Sequence, residues 1–255
     1  MKIRHYLITA VVAYLTFLIY LAPAAPLLDL VTKNNGGISI VSVTGSLWNG
    51  NARSLHVKNH KIENVDWSFI PWRLLIGEVS YDIQAQYKDN PISTSIGLTL
   101  TGKYLLHNLS ATLAAYPTGK ILDIPIGELD GNLKIAVTEA IWSANTVPKI
   151  TGDILWEKAA YTVAERAELG DVTIMFSESD TSPLIAAIKN TPDHLSIDGN
   201  ITINAEGHYD LVISLKPTKK ASKNLRDSLR LIAKSLQDGS FEIKNAGELS
   251  TLGLM

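Results

Sequence analysis

The sequence has 255 residues, of which 46% are apolar and 19% are charged. This balance is sufficient for a sizeable core and excludes an intrinsically disordered chain. The formal net charge is -2, so the chain lacks the basic surface with which nucleic-acid binding proteins neutralise phosphates, and we expect no nucleic-acid partner. The absence of cysteine excludes disulfides and thiolate metal sites.

The N-terminus predicts a membrane anchor. An uncharged, strongly apolar stretch runs from Tyr6 to Ala22, directly after Lys2, Arg4 and His5. A membrane-spanning helix needs about 17–25 residues, whereas the apolar part of a cleaved signal peptide has about 7–15, so the length favours a retained anchor over a cleaved signal. Basic residues before the stretch predict that the N-terminus stays in the cytoplasm and that the body is exported.

We therefore expect residues 1–28 to form a cytoplasmic N-terminus and a single-pass anchor in the inner membrane. Residues 29–255 would form a periplasmic, β-rich domain. The segment from Ala22 to Ala24 has the small residues of a cleavage site, but Pro23 lies between them, so a cleaved signal remains the less favoured alternative.

Two neighbouring segments, residues 43–50 and 65–77, predict a strand, a turn, a second strand and a short helix. Trp48 and Trp67 each stand in a run that alternates apolar with polar residues, while Gly45 and Gly50 mark the turn. Large aromatic rings are usually buried, so we expect both tryptophans to belong to the core of a β domain.

The same alternation continues through most of the chain. Runs of four to eight residues with a period of two, separated by Gly, Pro, Asn and Asp, are typical of half-buried antiparallel strands. The fold class predicted is mainly β: an N-terminal transmembrane helix followed by a large, curved, mostly antiparallel sheet with a few short helices. The predicted strands include residues 38–43, 52–57, 79–85, 95–100, 109–113, 132–137, 171–176, 195–204, 209–215 and 240–244.

Three short helices are predicted after the anchor. Pro71 suits the first position of a helix that ends at Gly77. A second helix is expected at residues 184–189, and a third at about residues 222–236. In the third helix Leu225, Leu229 and Ile232 share one stripe, and we expect them to cover the apolar face of the sheet and to leave too little open trough for acyl chains.

A faint internal repeat accompanies this pattern. Residues 150–156 echo residues 43–48, with one residue inserted before the tryptophan. A repeat would divide the body into two related halves, at about residues 38–142 and 147–247, although a match this short also arises by chance.

The sequence presents no catalytic, cofactor-binding or metal-binding constellation. Serines, histidines and carboxylates are scattered without the spacing of a nucleophile and its base. His56 and His60 are four residues apart, which suits a zinc site on a helix but not in extended chain. We therefore expect a protein that is not an enzyme and that needs no cofactor.

The residues named so far carry a family resemblance. A Gly-Ser-Leu-Trp-x-Gly-x-Ala segment is followed by a Trp-x-x-x-Pro-x-x-Leu-Leu-x-Gly segment, after an N-terminal anchor. Together they resemble the type II secretion system protein N family over nearly the whole chain. The signature positions are Gly45, Leu47, Trp48, Gly50, Trp67, Pro71, Leu74, Leu75 and Gly77.

The resemblance implies an inner-membrane, periplasm-facing accessory component of the machine that exports folded proteins across the Gram-negative outer membrane. It implies a scaffold whose partners are other inner-membrane secretion components. The alternative is an AsmA-like or LptC-like envelope protein that binds or carries lipid in an apolar groove. An open apolar trough would distinguish the lipid carrier from the scaffold.

Overall fold

The computed structural model describes residues 2–26, 28, 38–57, 60–116, 128–143, 146, 148–162, 166–177 and 183–248. In these residues the protein is mainly β, and its helices of at least six residues are two α-helices and one 3-10 helix. The helices are α1 (Lys2–Tyr20), the 3-10 helix (Pro71–Ile76) and α2 (Lys223–Ile232). The strands are β1 (Ile38–Gly45), β2 (Asn49–Val57), β3 (His60–Phe69), β4 (Glu78–Tyr87), β5 (Asn90–Thr99), β6 (Tyr104–Ala114), β7 (Glu128–Trp142), β8 (Lys149–Thr162), β9 (Arg166–Phe176), β10 (Leu184–Asn190), β11 (Leu195–Ile203), β12 (His208–Pro217), β13 (Lys234–Ser235) and β14 (Phe241–Glu248).

The described strands follow one another in the sheet almost as they do in the chain. The order runs from β1 to β12 in sequence, and β14 then lies between β12 and β13. From β1 to β12 such an order needs only connections between adjacent strands, which suit antiparallel pairing, whereas α2 and β13 intervene between β12 and β14. The prediction of a mainly β, antiparallel sheet is therefore confirmed.

The chain divides into two compact units, Met1–Ser93 and Thr94–Met255. The two segments of the proposed repeat differ in local structure, because Trp48 lies in the turn after β1 whereas Trp156 lies within β8. The division into two related halves stays a prediction.

Helix α1 occupies most of the predicted anchor. Within the part of the chain that the structure describes, none of the helices combines the length and the hydropathy required for a membrane span. The membrane anchor is therefore still a prediction.

Two of the predicted helices need correction. Residues 184–190 form strand β10, because their backbone pairs with β9 on one side and β11 on the other. Helix α2 ends at Ile232, four residues before the predicted end, and Lys234 and Ser235 pair with β14 instead. The 3-10 helix, by contrast, begins at Pro71 and is followed by Gly77, as predicted.

The core of the second unit lies between α2 and the sheet. Leu195, Leu215 and Phe241 are buried in the sheet and belong to one cluster with Leu229 of α2. Helix α2 begins at this place because the Ser222 side chain accepts a hydrogen bond from the Leu225 N–H, which caps the first turn. The amphipathic helix therefore packs its apolar side onto the strands that follow β8 in the sheet.

The side chain of Asn190 links three strands of this unit. Its Nδ2 donates to the carbonyl oxygens of Leu169 and Leu195 at 2.6 and 2.7 Å, and its Oδ1 accepts from the Ile197 N–H at 2.7 Å. Asn190 thus satisfies backbone groups of β9 and β11 at the end of β10, where the ladder stops.

We predict that Asn190→Ala lowers the free energy of unfolding by about 1–3 kcal/mol, because it removes the partners of three backbone groups. The measurement is equilibrium denaturation of the full-length protein. Asn200→Ala, at an exposed position of β11, is the matched control and should change stability by less than about 0.5 kcal/mol. Equal effects of the two substitutions would contradict the linking role of Asn190.

Candidate functional site

The signature turn, residues 46–49, is held by hydrogen bonds centred on Ser46. The Ser46 Oγ accepts hydrogen bonds from the N–H groups of Trp48 and Asn49, both at 3.2 Å, and the Ser46 N–H donates to the Asn49 carbonyl at 2.9 Å. The Leu47 N–H donates to the Ala22 carbonyl at 3.0 Å. The turn therefore has a fixed backbone, and it ties the segment after α1 to the sheet.

Of the two signature tryptophans, Trp48 lies in this turn and Trp67 lies beside it on β3. The Trp67 indole N–H donates to the Ser46 carbonyl at 3.2 Å, and the Phe69 N–H donates to the Trp48 carbonyl at 2.6 Å. The rings of Trp48 and Phe69 are 4.8 Å apart and meet edge to face, which is a favourable aromatic geometry. Both tryptophans are half-buried rather than fully buried.

The aromatic contacts continue onto strand β4. The rings of Phe69 and Tyr81 lie 5.3 Å apart, and burial raises the pKa of the Tyr81 hydroxyl. Trp48, Phe69 and Tyr81 thus form a row of three rings across the turn, β3 and β4. Between this row and the 3-10 helix, the Ile70 N–H donates to the Ser80 carbonyl at 2.9 Å.

The signature glycines leave room for close contacts in the turn. Gly45 has a φ of +89°, and a Cβ added there would lie 2.5 Å from the Asn49 carbonyl oxygen. A Cβ at Gly50 would lie 2.2 Å from the Trp67 ring. Only glycine fits these positions without movement of the backbone or of the ring.

The 3-10 helix is fixed at both ends. Pro71 stands at its start, and Gly77, with a φ of 79°, ends it in the left-handed region. Arg73 Nη1 lies 2.9 Å from Glu78 Oε2, and the two side chains are only 15% and 18% exposed. This ion pair joins the helix to the first residue of β4, so the helix is held on the sheet by backbone and side-chain contacts.

The other long side chains of the 3-10 helix face solvent. Leu75 is 89% exposed, and three further apolar side chains on the helix are at least half exposed. We call this surface the apolar patch; it consists of Trp72, Leu74, Leu75 and Ile76. An apolar surface on a rigid support is typical of an interaction site, because its exposure to water has no benefit for the isolated fold.

The structure brings together most of the residues singled out in the sequence. Gly45, Leu47, Trp48, Gly50 and Trp67 meet around the signature turn, and Pro71, Leu74, Leu75 and Gly77 belong to the 3-10 helix or follow it. The two residues at the ends of the predicted anchor have different surroundings. The Ala22 carbonyl accepts a hydrogen bond from the turn, whereas Tyr6 lies on α1 with 73% of its surface exposed.

Several residues that build the site were not identified from the sequence. The Asn51 Nδ2 donates to Asp66 Oδ1 at 2.7 Å across β2 and β3, and Arg73 pairs with Glu78. The sequence contained a signal for the second pair, because Arg73 and Glu78 have opposite charges and stand five residues apart, with Gly77 between them. Among the described residues no group of three His, Asp or Glu side chains is placed to hold a metal ion.

The fold and the site define a mainly β protein that presents an exposed apolar surface on a short, fixed helix. Comparison with known proteins then places the chain in a family. Residues 36–244 match the family model described as type II secretion system (T2SS), protein N. The chain therefore belongs to the type II secretion system protein N family.

Two relatives extend the match over nearly the whole chain. The protein named type II secretion system protein N from Aeromonas hydrophila is 21% identical over 244 residues, which cover 93% of this chain and 95% of that protein. The protein of the same name from Vibrio cholerae serotype O1 is 22% identical over 251 residues, which cover 95% of this chain and 94% of that protein. No solved structure matches the chain significantly.

We predict that Gly45→Ala destabilises the protein more than Gly102→Ala does. The two glycines have similar positive φ values, +89° and +81°, but a Cβ at Gly102 would meet nothing within 4 Å. The strain of the backbone is thus common to both variants, and the close contact with Asn49 is specific to Gly45. The difference should be about 1–3 kcal/mol in the free energy of unfolding, measured by chemical denaturation. Equal destabilisation would show that the turn can relax around the added methyl group.

Proposed function

We propose that the protein is a non-enzymatic scaffold component of the type II secretion machinery and contributes to the export of folded proteins across the outer membrane. It acts by contact with other inner-membrane components of the machine, and the apolar patch on the 3-10 helix is the contact surface. The observation that carries this proposal is the exposure of Trp72, Leu74, Leu75 and Ile76 on a helix that the rest of the first unit holds in place.

The chemistry of the patch suits a protein partner. Trp72 is 58% exposed, and the Arg73 guanidinium, paired with Glu78, lies 5.3 Å from its ring centroid, so a mostly buried cation supports the exposed ring. Tryptophan is one of the residue types that most often dominate binding energy at interfaces. Because the patch is fixed before binding, a partner would not have to order it, which reduces the entropic cost of association.

The proposal also places α1 in the inner membrane, with the N-terminus in the cytoplasm and the body in the periplasm. Lys2, Arg4 and His5 precede the apolar residues, in agreement with the positive-inside tendency. Many large apolar side chains along the helix are exposed, which is unfavourable in water but favourable in a membrane. The side chains that are at least half exposed are those of Tyr6, Leu7, Ile8, Val11, Val12, Tyr14, Phe17, Leu18 and Tyr20.

The contact surface can be tested by photo-crosslinking in cells. A crosslinking amino acid at position 75 should form an adduct with another component of the secretion machine, identified by mass spectrometry. Position 100 is the matched control, because Leu100 is also a strongly exposed leucine, at 84% against 89%, but lies outside the patch. Adducts at both positions, or adducts of position 75 with lipid alone, would count against a protein contact at the patch.

Function can be measured with the corresponding serine variants. We predict that Leu75→Ser reduces secretion of the exported proteins, whereas Leu100→Ser does not. Both side chains are exposed, so neither change should alter the free energy of unfolding by more than about 0.5 kcal/mol. Normal secretion by a folded Leu75→Ser variant would exclude the leucine as an essential contact.

The orientation has its own test. We predict that a reporter enzyme that is active only in the periplasm, fused after Met255, is active. Replacement of Lys2 and Arg4 by acidic residues should reduce this activity, because it removes the charge difference across the predicted anchor. The proposed orientation would be reversed if this wild-type fusion were inactive while a reporter that works only in the cytoplasm, fused at the same position, were active.

A further inference from the structure

The second unit contains a cavity between α2 and the sheet. Its volume is about 570 Å³, which lies within the range of about 300–1,000 Å³ that is usual for small-molecule sites. The roof is formed by α2 and the floor by strands β8 to β12 and β14. Leu225, Leu229 and Ile232 all line this cavity. As expected, α2 helps to cover the core, because Leu229 belongs to the core cluster and Leu225 packs against it. The expectation that too little space would remain for an acyl chain is wrong, because the cavity lies between the helix and the sheet.

The interior of the cavity is apolar. Val172, Ile188 and Leu195 lie on the floor, and each of them is buried. Leu229, on the opposite wall, is 4% exposed. A space with such walls does not hold water well, because a buried water needs two to four polar partners. An aliphatic chain in the cavity would make van der Waals contacts with these apolar side chains.

The charged lining residues lie at one end of the sheet, together with His194. Arg166 is the first residue of β9, His194 directly precedes β11, and Lys220 lies between the end of β12 and the start of α2. Antiparallel pairing places these points at the same end of the sheet, because β9 and β11 start where β10 and β12 end: Leu195 is opposite Pro217, and Asn190 is opposite Val172, six residues into β9. The cavity thus has an apolar interior and a polar mouth that contains two permanent cations and the carboxylate of Glu168.

Both cations have carboxylate partners that stand outside the cavity lining. Arg166 pairs with Asp130, and Lys220 Nζ lies 2.8 Å from Asp193 Oδ1. The hydrogen bond from Lys220 lowers the pKa of Asp193 and raises the pKa of Lys220, so Lys220 remains charged at neutral pH. The Arg166 and Lys220 side chains are 52% and 72% exposed, and exposed ion pairs of this kind are weak. An anionic group that enters the mouth would compete with Asp130 and Asp193 for these cations, and because both pairs are exposed, little binding energy opposes the exchange.

We propose that this cavity binds an amphiphile with one aliphatic chain and an anionic head, the chain under α2 and the head between Arg166 and Lys220. The chain length is limited by the volume of the cavity, and the charge of the head is selected by the cations at its mouth. This binding activity is additional to the scaffold function and does not depend on it, because the cavity and the apolar patch belong to different units.

The test uses Trp156, which lines the cavity. The full-length protein is kept soluble by an amphipathic polymer in place of detergent, so that no free detergent chain competes. A stearate with bromine atoms on its chain is titrated in, and tryptophan fluorescence is recorded, because bromine quenches an indole ring only near contact. The sequence has five tryptophans, so the signal is the difference between the wild type and Trp156→Phe. We expect saturable quenching in the wild type that Trp156→Phe lacks.

Two pairs of variants separate the chain from the head. Ser228 faces the cavity from α2, and Ser228→Phe should fill it and weaken binding at least tenfold, whereas Lys223→Phe, at an exposed position outside the lining, should not. Lys220→Gln should weaken binding of the brominated stearate by about two- to fivefold, as expected for one exposed charge contact. Lys219→Gln removes the same charge one residue away, outside the lining, and should have no effect. The neutral methyl ester of the probe should bind equally to both glutamine variants.

The source of the ligand is distinguished by competition. Displacement of the probe by palmitate but not by lysophosphatidylglycerol would identify a free fatty acid, and the reverse would identify a glycerophospholipid. Quenching that does not saturate, or that persists in a folded Ser228→Phe variant, would overturn the proposal. If Ser228→Phe does not fold, the lysine pair decides: equal affinities of Lys220→Gln and Lys219→Gln would overturn the assignment of the head.

Discussion

Covering an apolar sheet face is the constraint on which the rest of this structure depends. Antiparallel pairing satisfies the backbone groups of each strand, but strands in the same sheet cannot cover their own face, and another element has to do so. In the second unit that element is α2, which buries Leu229 against Leu195 and Phe241. In the first unit the 3-10 helix lies on the sheet through Arg73 and Glu78 and leaves its own apolar side chains in solvent. Each unit therefore retains an apolar surface that its own fold does not use.

Rigidity is what makes the surface in the first unit suitable for binding. The signature turn is fixed by the Ser46 hydrogen bonds, and the absence of a side chain at Gly50 lets the Trp67 ring lie against the backbone. Through Phe69 and Tyr81 the same packing reaches the strands that flank the 3-10 helix. The signature positions around the turn are thus linked by packing to the strands beside the 3-10 helix, whereas Leu74 and Leu75, also signature positions, are exposed on the helix itself.

Most of the fold, but less of the site, was predictable from the sequence. Alternation over residues 79–85 or 209–215 identifies strands because one face is buried and the other is solvated. A Ser-Pro pair suits the start of a helix, and for this reason the sequence predicts a helix at residues 184–189. In the structure Leu184, Ala186 and Ile188 are buried alternately with more exposed neighbours, and pairing with β9 and β11 outweighs the helical preference of alanine. The ion pair of Arg73 and the cavity under α2 depend on distances between elements, which periodicity does not contain.

The lengths of the elements explain why the second unit has a cavity. Helix α2 has ten residues and therefore spans about 15 Å, whereas β12, also of ten residues, spans about 33 Å. A helix that crosses strands of this length covers only part of their apolar face. The helix ends at Ile232 because Lys234 and Ser235 return to the sheet as β13, so its stripe cannot extend further. Helix α2, shorter than predicted, thus lies over floor residues such as Ile188 and Val172 without filling the space above them, and both line the cavity.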